Sequence, residues 1–151
     1  MEADGTDGGA AIRKLEPLLG EWTIEAPFPD APVGRLTFEW MTGERFVVQR
    51  WEVPVPVAPD GIAIIGVDYP NERFVQHYFD SRGVARLYQM TFDDGVWKLW
   101  RDSADFSPLD FSQRYTGRLS DDGSTIEGTW EIAHDGTTWE RDFDLTSRRI
   151  E

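Results

Sequence analysis

Residues 111–145 read FSQRYTGRLSDDGSTIEGTWEIAHDGTTWERDFDL. Apolar and polar residues alternate with a period of two on either side of Asp122-Gly123 and Asp135-Gly136, the pattern of antiparallel strands joined by tight turns. If Asp135-Gly136 is a two-residue turn, Ile132 faces Trp139, Trp130 faces Arg141, Gly128 faces Phe143 and Ile126 faces Leu145 on one side. Glu131, Thr129 and Glu127 then meet Glu140, Asp142 and Asp144 on the other. The same rule at Asp122-Gly123 sets Leu119 opposite Ile126 and Tyr115 opposite Trp130 on the apolar side. On the wet side Arg118 meets Glu127 and Arg114 meets Glu131, so opposite charges pair across strands. A slip of one residue would invert both faces, so the agreement of two turns is a check on the register.

The rhythm extends backwards to Gly20. Strands are predicted at about 22–26, 34–41, 45–53, 62–68, 73–80, 84–92, 96–102, 111–119, 125–132 and 138–146. Asp94-Gly95 sets Phe92 opposite Trp97, Met90 opposite Leu99 and Tyr88 opposite Arg101. A two-residue turn at Ser81-Arg82 would carry that inner face to Val75, His77 and Phe79. In the early hairpin Leu36, Phe38 and Trp40 share a face with Val47, Gln49, Trp51 and Val53. Longer loops run over residues 54–61 and 103–110. A short helix is predicted over residues 10–19, where Ile12, Leu15, Leu18 and Leu19 share a face, Pro17 limits the length and Gly20 ends it. The expected architecture is all-β: one up-and-down antiparallel β-barrel of about ten strands, residues 10–151, behind a flexible tail of residues 1–9. Closure removes the exposed sheet edges.

Composition narrows the function. The chain has 151 residues, 15 Lys and Arg against 28 Asp and Glu, a formal net charge of −13, seven tryptophans and no cysteine. One domain of that length builds a sufficient core without staples. The acidic balance argues against nucleic acid and against anionic membrane surfaces. Residues 1–9 lack a basic and apolar leader, and the longest apolar run is far shorter than the ~20 residues a membrane helix needs, so a cytoplasmic location is expected. No nucleotide, hydrolase or metalloprotease motif is present. The two histidines are far apart in sequence, so no metal site is expected.

The expected interior is aromatic and aliphatic with polar intruders: His77, Arg86, Tyr88, Arg101, Gln113, Tyr115 and Arg141. The acidic residues of the last six strands fall outside, in turns or at strand ends. A buried arginine needs an acceptor, and its planar fork suits a carboxylate or phosphate. Arg141 opposite Trp130 is read as a structural stack closing one barrel end. Trp40, Trp51 and Trp130 are candidate cavity walls.

Gly20-Glu21-Trp22, after the helix and before the meander, resembles the opening of the calycin superfamily: lipocalins, fatty-acid-binding proteins and nitrobindins. The stretch Leu15-Glu16-Pro17-Leu18-Leu19-Gly20-Glu21-Trp22 looks closest to bacterial nitrobindin-like proteins. The resemblance implies a structural Trp22 with a late basic residue packed on it, Arg141 or Arg148. It also implies a small-molecule cavity. Nitrobindins hold haem through a histidine near the chain end, where this chain has Trp139, Arg141, Phe143 and Leu145. His77 is then the one inward candidate for a haem ligand.

The leading expectation is a monomeric or homodimeric barrel without cofactor. It would bind a small, mainly apolar molecule with an anionic or polar head, oriented by Arg86, His77, Tyr88 and Arg101. Three alternatives stand beside it. One is a cofactor-free isomerase, cyclase or dehydratase in which His77 is the acid/base and Arg86 and Tyr88 steady an oxyanion. Another is a haem protein. The last is a protein–protein module, for which a filled barrel would be the sign.

Overall fold

The computed structural model describes residues 8–150 apart from 28, 29, 31, 55–57, 107 and 109. Most of the expected tail, residues 1–7, therefore lies outside the described residues. The helix begins at Gly8, as α1 (Gly8–Ile12), and tightens into a 3-10 helix over Arg13–Leu18. Pro17 lies inside that segment, where it has no N–H to donate, and the helical segment is short as expected. The predicted apolar face holds: Ile12, Leu15 and Leu18 are buried.

Ten antiparallel strands follow among the described residues: β1 (Gly20–Glu25), β2 (Gly34–Trp40), β3 (Val47–Glu52), β4 (Gly61–Asp68), β5 (Arg73–Asp80), β6 (Ala85–Asp93), β7 (Val96–Arg101), β8 (Ser112–Leu119), β9 (Thr125–Ala133) and β10 (Glu140–Arg149). Each pairs with its chain neighbour, and β10 pairs with β1 to close the barrel. Asp94 and Gly95 have φ of 51° and 74°, positive at both centres as a type I′ turn requires, and Phe92 pairs with Trp97 as expected. Leu119 pairs with Ile126, Arg118 with Glu127 and Arg114 with Glu131, and the last pair is an ion pair of 2.9 Å.

Two predicted registers are corrected. The β5–β6 loop has three residues, Ser81, Arg82 and Gly83, because Asp80 N–H bonds Val84 C=O at 3.0 Å and Gly83 adopts φ 84°. That is a three-residue hairpin with glycine in the left-handed position. The extra residue moves β5 by one place, so Tyr78 pairs with Arg86 and His77 with Leu87. Phe74, Gln76, Tyr78 and Asp80 therefore face inward and Val75, His77 and Phe79 face outward.

At Asp135-Gly136 the loop is longer than two residues, and the ladder shifts between Arg141 and Phe143. Phe143 and Leu145 stay on the inner face, opposite Trp130 and Gly128, two positions from the predicted partners. Arg141 is turned outward opposite Glu131. It is exposed and bonded to Asp144 at 3.2 Å, so it does not stack on Trp130.

The helical segment covers the end of the barrel formed by Trp22, Phe38, Val47, Ile65, Met90 and Ile126, all buried. The late basic residue on Trp22 is Arg149, neither Arg141 nor Arg148. Its guanidinium lies 4.2 Å from the indole centre and donates to the carbonyls of Pro17, Leu19 and Gly123 at 2.6, 2.6 and 3.1 Å. Arg148 instead pairs with Glu25 on the outside at 2.9 Å.

The interior is bridged by rings. Phe38, Trp97, Tyr115, Trp130, Tyr88, Tyr78 and Trp51 form an unbroken series with successive centroids 4.9–5.8 Å apart, mostly edge to face. Trp100 and Trp139 lie outside, under Arg73 and Arg114 respectively.

Candidate functional site

The end of the barrel opposite the helix gathers the polar interior residues. It is built from the C-terminal ends of β3, β5, β7 and β9 and the N-terminal ends of β6, β8 and β10. Trp51, Tyr78, Asp80, Arg86, Tyr88, Arg101, Gln113, Trp130 and Phe143 all come from these strand ends and face inward. They meet because antiparallel pairing puts Tyr78 beside Arg86, Arg101 beside Gln113 and Trp130 beside Tyr115.

The polar groups fall into three sets. Gln113 Oε1 accepts from the Tyr88 hydroxyl at 2.9 Å and from Arg86 Nη1 at 3.3 Å. The rest of the Arg86 guanidinium has less. Its Cζ sits 5.9 Å from the Phe111 ring centre, its Nε is buried without a hydrogen-bond partner, and no carboxylate among the described residues pairs with it. An unmade bond on a buried donor costs roughly 1–3 kcal/mol, and more where the group is charged.

Arg101 is 3% exposed and forms an ion pair with Asp105 at 2.9 Å. It also donates to Pro108 C=O at 3.2 Å. Its acceptors thus come from the following loop. Asp105 Oδ2 also takes the Leu87 N–H at 2.7 Å, standing in for a strand partner beyond the end of β7. The cation that was expected to orient a ligand is engaged by the chain itself.

On the β5 side Tyr78 stacks on Trp51 at 5.3 Å and donates to Asp80 Oδ2 at 2.6 Å. Burial, then the Asp80 carboxylate, pushes the Tyr78 phenol well above its usual range. Burial likewise raises Tyr88, against the opposing pull of Arg86 and Arg101. Both phenols are therefore protonated donors at neutral pH, unsuited to act as bases.

The remaining expected residues separate. Tyr115 lies deeper, against Gly117 and Gly128, and burial raises its phenol too. Trp40 is at the helix-covered end, with Arg13 5.5 Å from its ring. His77 lies on the outer face in the row Ile64, His77, Leu87. That removes it from the interior, both as acid/base and as haem ligand. His134 is exposed in the β9–β10 loop, 3.8 Å from Glu140. The described residues thus offer no inward histidine, and the haem that the resemblance implies does not fit them. Among them, no group of three or more metal-ligating side chains comes together.

Tyr78 and Asp80 were missed because the β5 face was inverted. Their signal was Gly83, a glycine at the third loop position. Asp105 carried no such signal, since loop residues have no face to be read from.

Two recesses lie outside this mouth. One, of about 340 Å³, is at the helix end between Lys14, Glu72, Arg73, Phe74, Phe92 and Asp93. It is open and carries both signs of charge. The other, of about 210 Å³, borders the mouth at Phe111, Ser112, Ala133 and His134.

The closed ten-stranded antiparallel barrel, with a tryptophan on its first strand under a late arginine, is consistent with a calycin-like fold. No protein-family model matches the chain, and no curated protein matches it. Among the described residues no helix is long and apolar enough to cross a membrane.

Proposed function

We propose that the end of the barrel opposite the helix binds a small, mainly apolar molecule through an anionic or polar head. One observation carries the reading. Arg86 faces inward with a buried Nε that donates to nothing and has no carboxylate partner among the described residues. The other inward arginines, Arg101 and Arg149, are engaged by a carboxylate or by carbonyls. The two phenols beside it already donate to Asp80 and Gln113, so the donor that lacks an acceptor is the Arg86 guanidinium, and a carboxylate, sulfonate or phosphate head supplies one.

The apolar part rests on Trp51, Trp130 and Phe143. The bridging rings occupy the middle of the barrel, so the ligand sits in the mouth. A protein acting this way in the cytoplasm needs no cofactor.

The test is native mass spectrometry together with titration of medium-chain fatty acids, their alcohols and anilinonaphthalene sulfonate. Wild type and Arg86→Ala are compared. Expected is binding of the anions by wild type, weakened at least about tenfold (~1.4 kcal/mol) in Arg86→Ala, with the alcohols unaffected. Equal anion affinity in the two proteins overturns the role of Arg86. The filled interior favours a second reading, a protein–protein module with no small ligand. On that reading neither protein binds any member of the panel.

A further inference from the structure

Three arginines of this barrel hold a carboxylate by the same edge. Arg101 lays Nε and Nη2 on the two oxygens of Asp105 at 2.9 and 3.0 Å. Arg114 lays the same two nitrogens on Glu131 at 2.9 and 3.3 Å, and Arg82 lays them on Asp80 at 3.2 and 2.7 Å. Arg86 has that edge to spare. Its Nη1 is taken by Gln113 Oε1 at 3.3 Å, and Nε and Nη2 have no acceptor among the described residues. Gln113, itself held by the Tyr88 hydroxyl at 2.9 Å, thus steadies the guanidinium from its far side. Charge limits what can fill the edge. Asp105 is matched by Arg101 and Asp80 by Arg82. Arg86 is left as one cation, which a single negative charge answers and a double one overshoots on a chain already at −13.

Shape limits it further. Trp51, Tyr78, Trp130 and Phe143 face inward at this end yet stay partly exposed, whereas Tyr88 and Tyr115 beneath them are 1% and 5% exposed. Ring contacts from Tyr78 through Tyr88 and Trp130 to Tyr115 close the floor. Ala85 opens β6 and Tyr88 stands three residues on, so the floor lies roughly 10 Å along the strand. That depth takes one or two fused rings, and an extended alkyl chain has no shaft to follow. The Trp51 wall is fixed in advance: its Nε1 donates to Pro59 C=O at 3.2 Å, and its ring lies over Gly61, where no side chain stands. Fixed ring faces suit a flat ring, and a rigid ligand gives up little freedom on binding.

We propose that the ligand of this end of the barrel is a compact aromatic monocarboxylate, gripped by two prongs on the Nε–Nη2 edge of Arg86 with its ring among Trp51, Tyr78 and Trp130. This rests on the anion-binding reading of the same end and narrows the ligand from any amphiphile to that class. Nε is enclosed, so the carboxylate meets Nη2 first and the guanidinium turns to close the fork. The experiment is isothermal titration calorimetry on the full chain with three probes: naphthalene carboxylate, naphthyl phosphate and decanoate. The first two share a ring system and differ in head charge. The first and third share a head and differ in shape. Wild type is compared with Arg86→Lys, which keeps the charge and loses the planar edge, and with Arg86→Ala, and circular dichroism verifies each fold.

Expected is that wild type binds naphthalene carboxylate at least about tenfold more tightly than either other probe, and that Arg86→Lys loses at least about tenfold of that affinity. Decanoate or naphthyl phosphate bound as tightly by wild type overturns the proposal, and that comparison needs no variant to fold. Naphthalene carboxylate bound equally by wild type and Arg86→Lys also overturns it. In either case the broader reading stands if Arg86→Ala still weakens the anions that wild type binds. Absence of binding by all three probes overturns both.

Discussion

The ring of Tyr115 on β8 occupies the space that a side chain at Gly128 on β9 would need, and its hydroxyl stands 2.6 Å from where a Cβ on Gly117 would lie. Two glycines on paired inner positions, Gly117 and Gly128, make the bed for one buried phenol. Gly128→Ala is expected to destabilise the barrel by about 1–3 kcal/mol, because a packed ring cannot withdraw without displacing Trp97 and Trp130. Urea unfolding measures this. Adding Tyr115→Ala should recover part of the Gly128→Ala loss, so the two substitutions should be clearly non-additive.

Arg149 holds three carbonyls of the helical segment and the β8–β9 loop while covering Trp22. Arg149→Ala is expected to cost about 2–4 kcal/mol in urea unfolding, since the carbonyls lose their donors and the indole its cover. Arg149→Lys should recover little of it, because one ammonium cannot reproduce the planar fork.

Asp105 serves both the Arg101 guanidinium and the Leu87 amide. Asp105→Ala leaves Arg101 without its carboxylate in a site where the two side chains are only 2% and 9% exposed. A loss of about 3–5 kcal/mol is expected. Hydrogen exchange localises it: the Leu87 amide should lose protection more than amides in the middle of β6.

Asp80 lies at the end of β5 with its side chain fully enclosed, accepting from the Arg82 side chain and backbone and from Tyr78. Burial alone would raise its pKa, but those donors outweigh it and hold the carboxyl at about 2, against an ordinary 3.8. The unfolded chain therefore takes up the proton first as pH falls. Asp80's contribution is complete above about pH 4 and disappears as pH approaches 2. Asp80→Asn should be less stable than wild type at pH 7, with the difference closing between pH 4 and 2. A difference that stays constant across that range would contradict the assignment.

The barrel was legible because a period of two persists from Gly20 onwards and an Asp-Gly pair with both residues at positive φ, as at Asp94-Gly95, admits one register. The mouth was legible where strands ran from such turns: Arg86, Tyr88, Arg101 and Gln113 face inward as expected. It failed at His77 and Arg141 for one physical reason. Side chains alternate, so a single extra residue in a loop or a bulge exchanges inside for outside along everything beyond it. Ser81-Arg82-Gly83 added that residue, and the irregularity between Arg141 and Phe143 did the same locally. Asp105 lay beyond such reading, because a carboxylate on a loop reaches its arginine through the loop's own path.

Arg149 bonds to Leu19 across 130 positions of chain, and β1 has its second neighbour only in β10. Most of a barrel's pairings can form between sequence neighbours as they are synthesised, but this seam cannot. Until β10 emerges from the ribosome, β1 waits with one bare edge and Trp22 lacks its arginine. Closing so long a loop places the chain among slow, high-contact-order folders, on the scale of milliseconds to seconds. The nascent protein therefore spends its most aggregation-prone interval with its N-terminal strand complete in sequence and unfinished in structure.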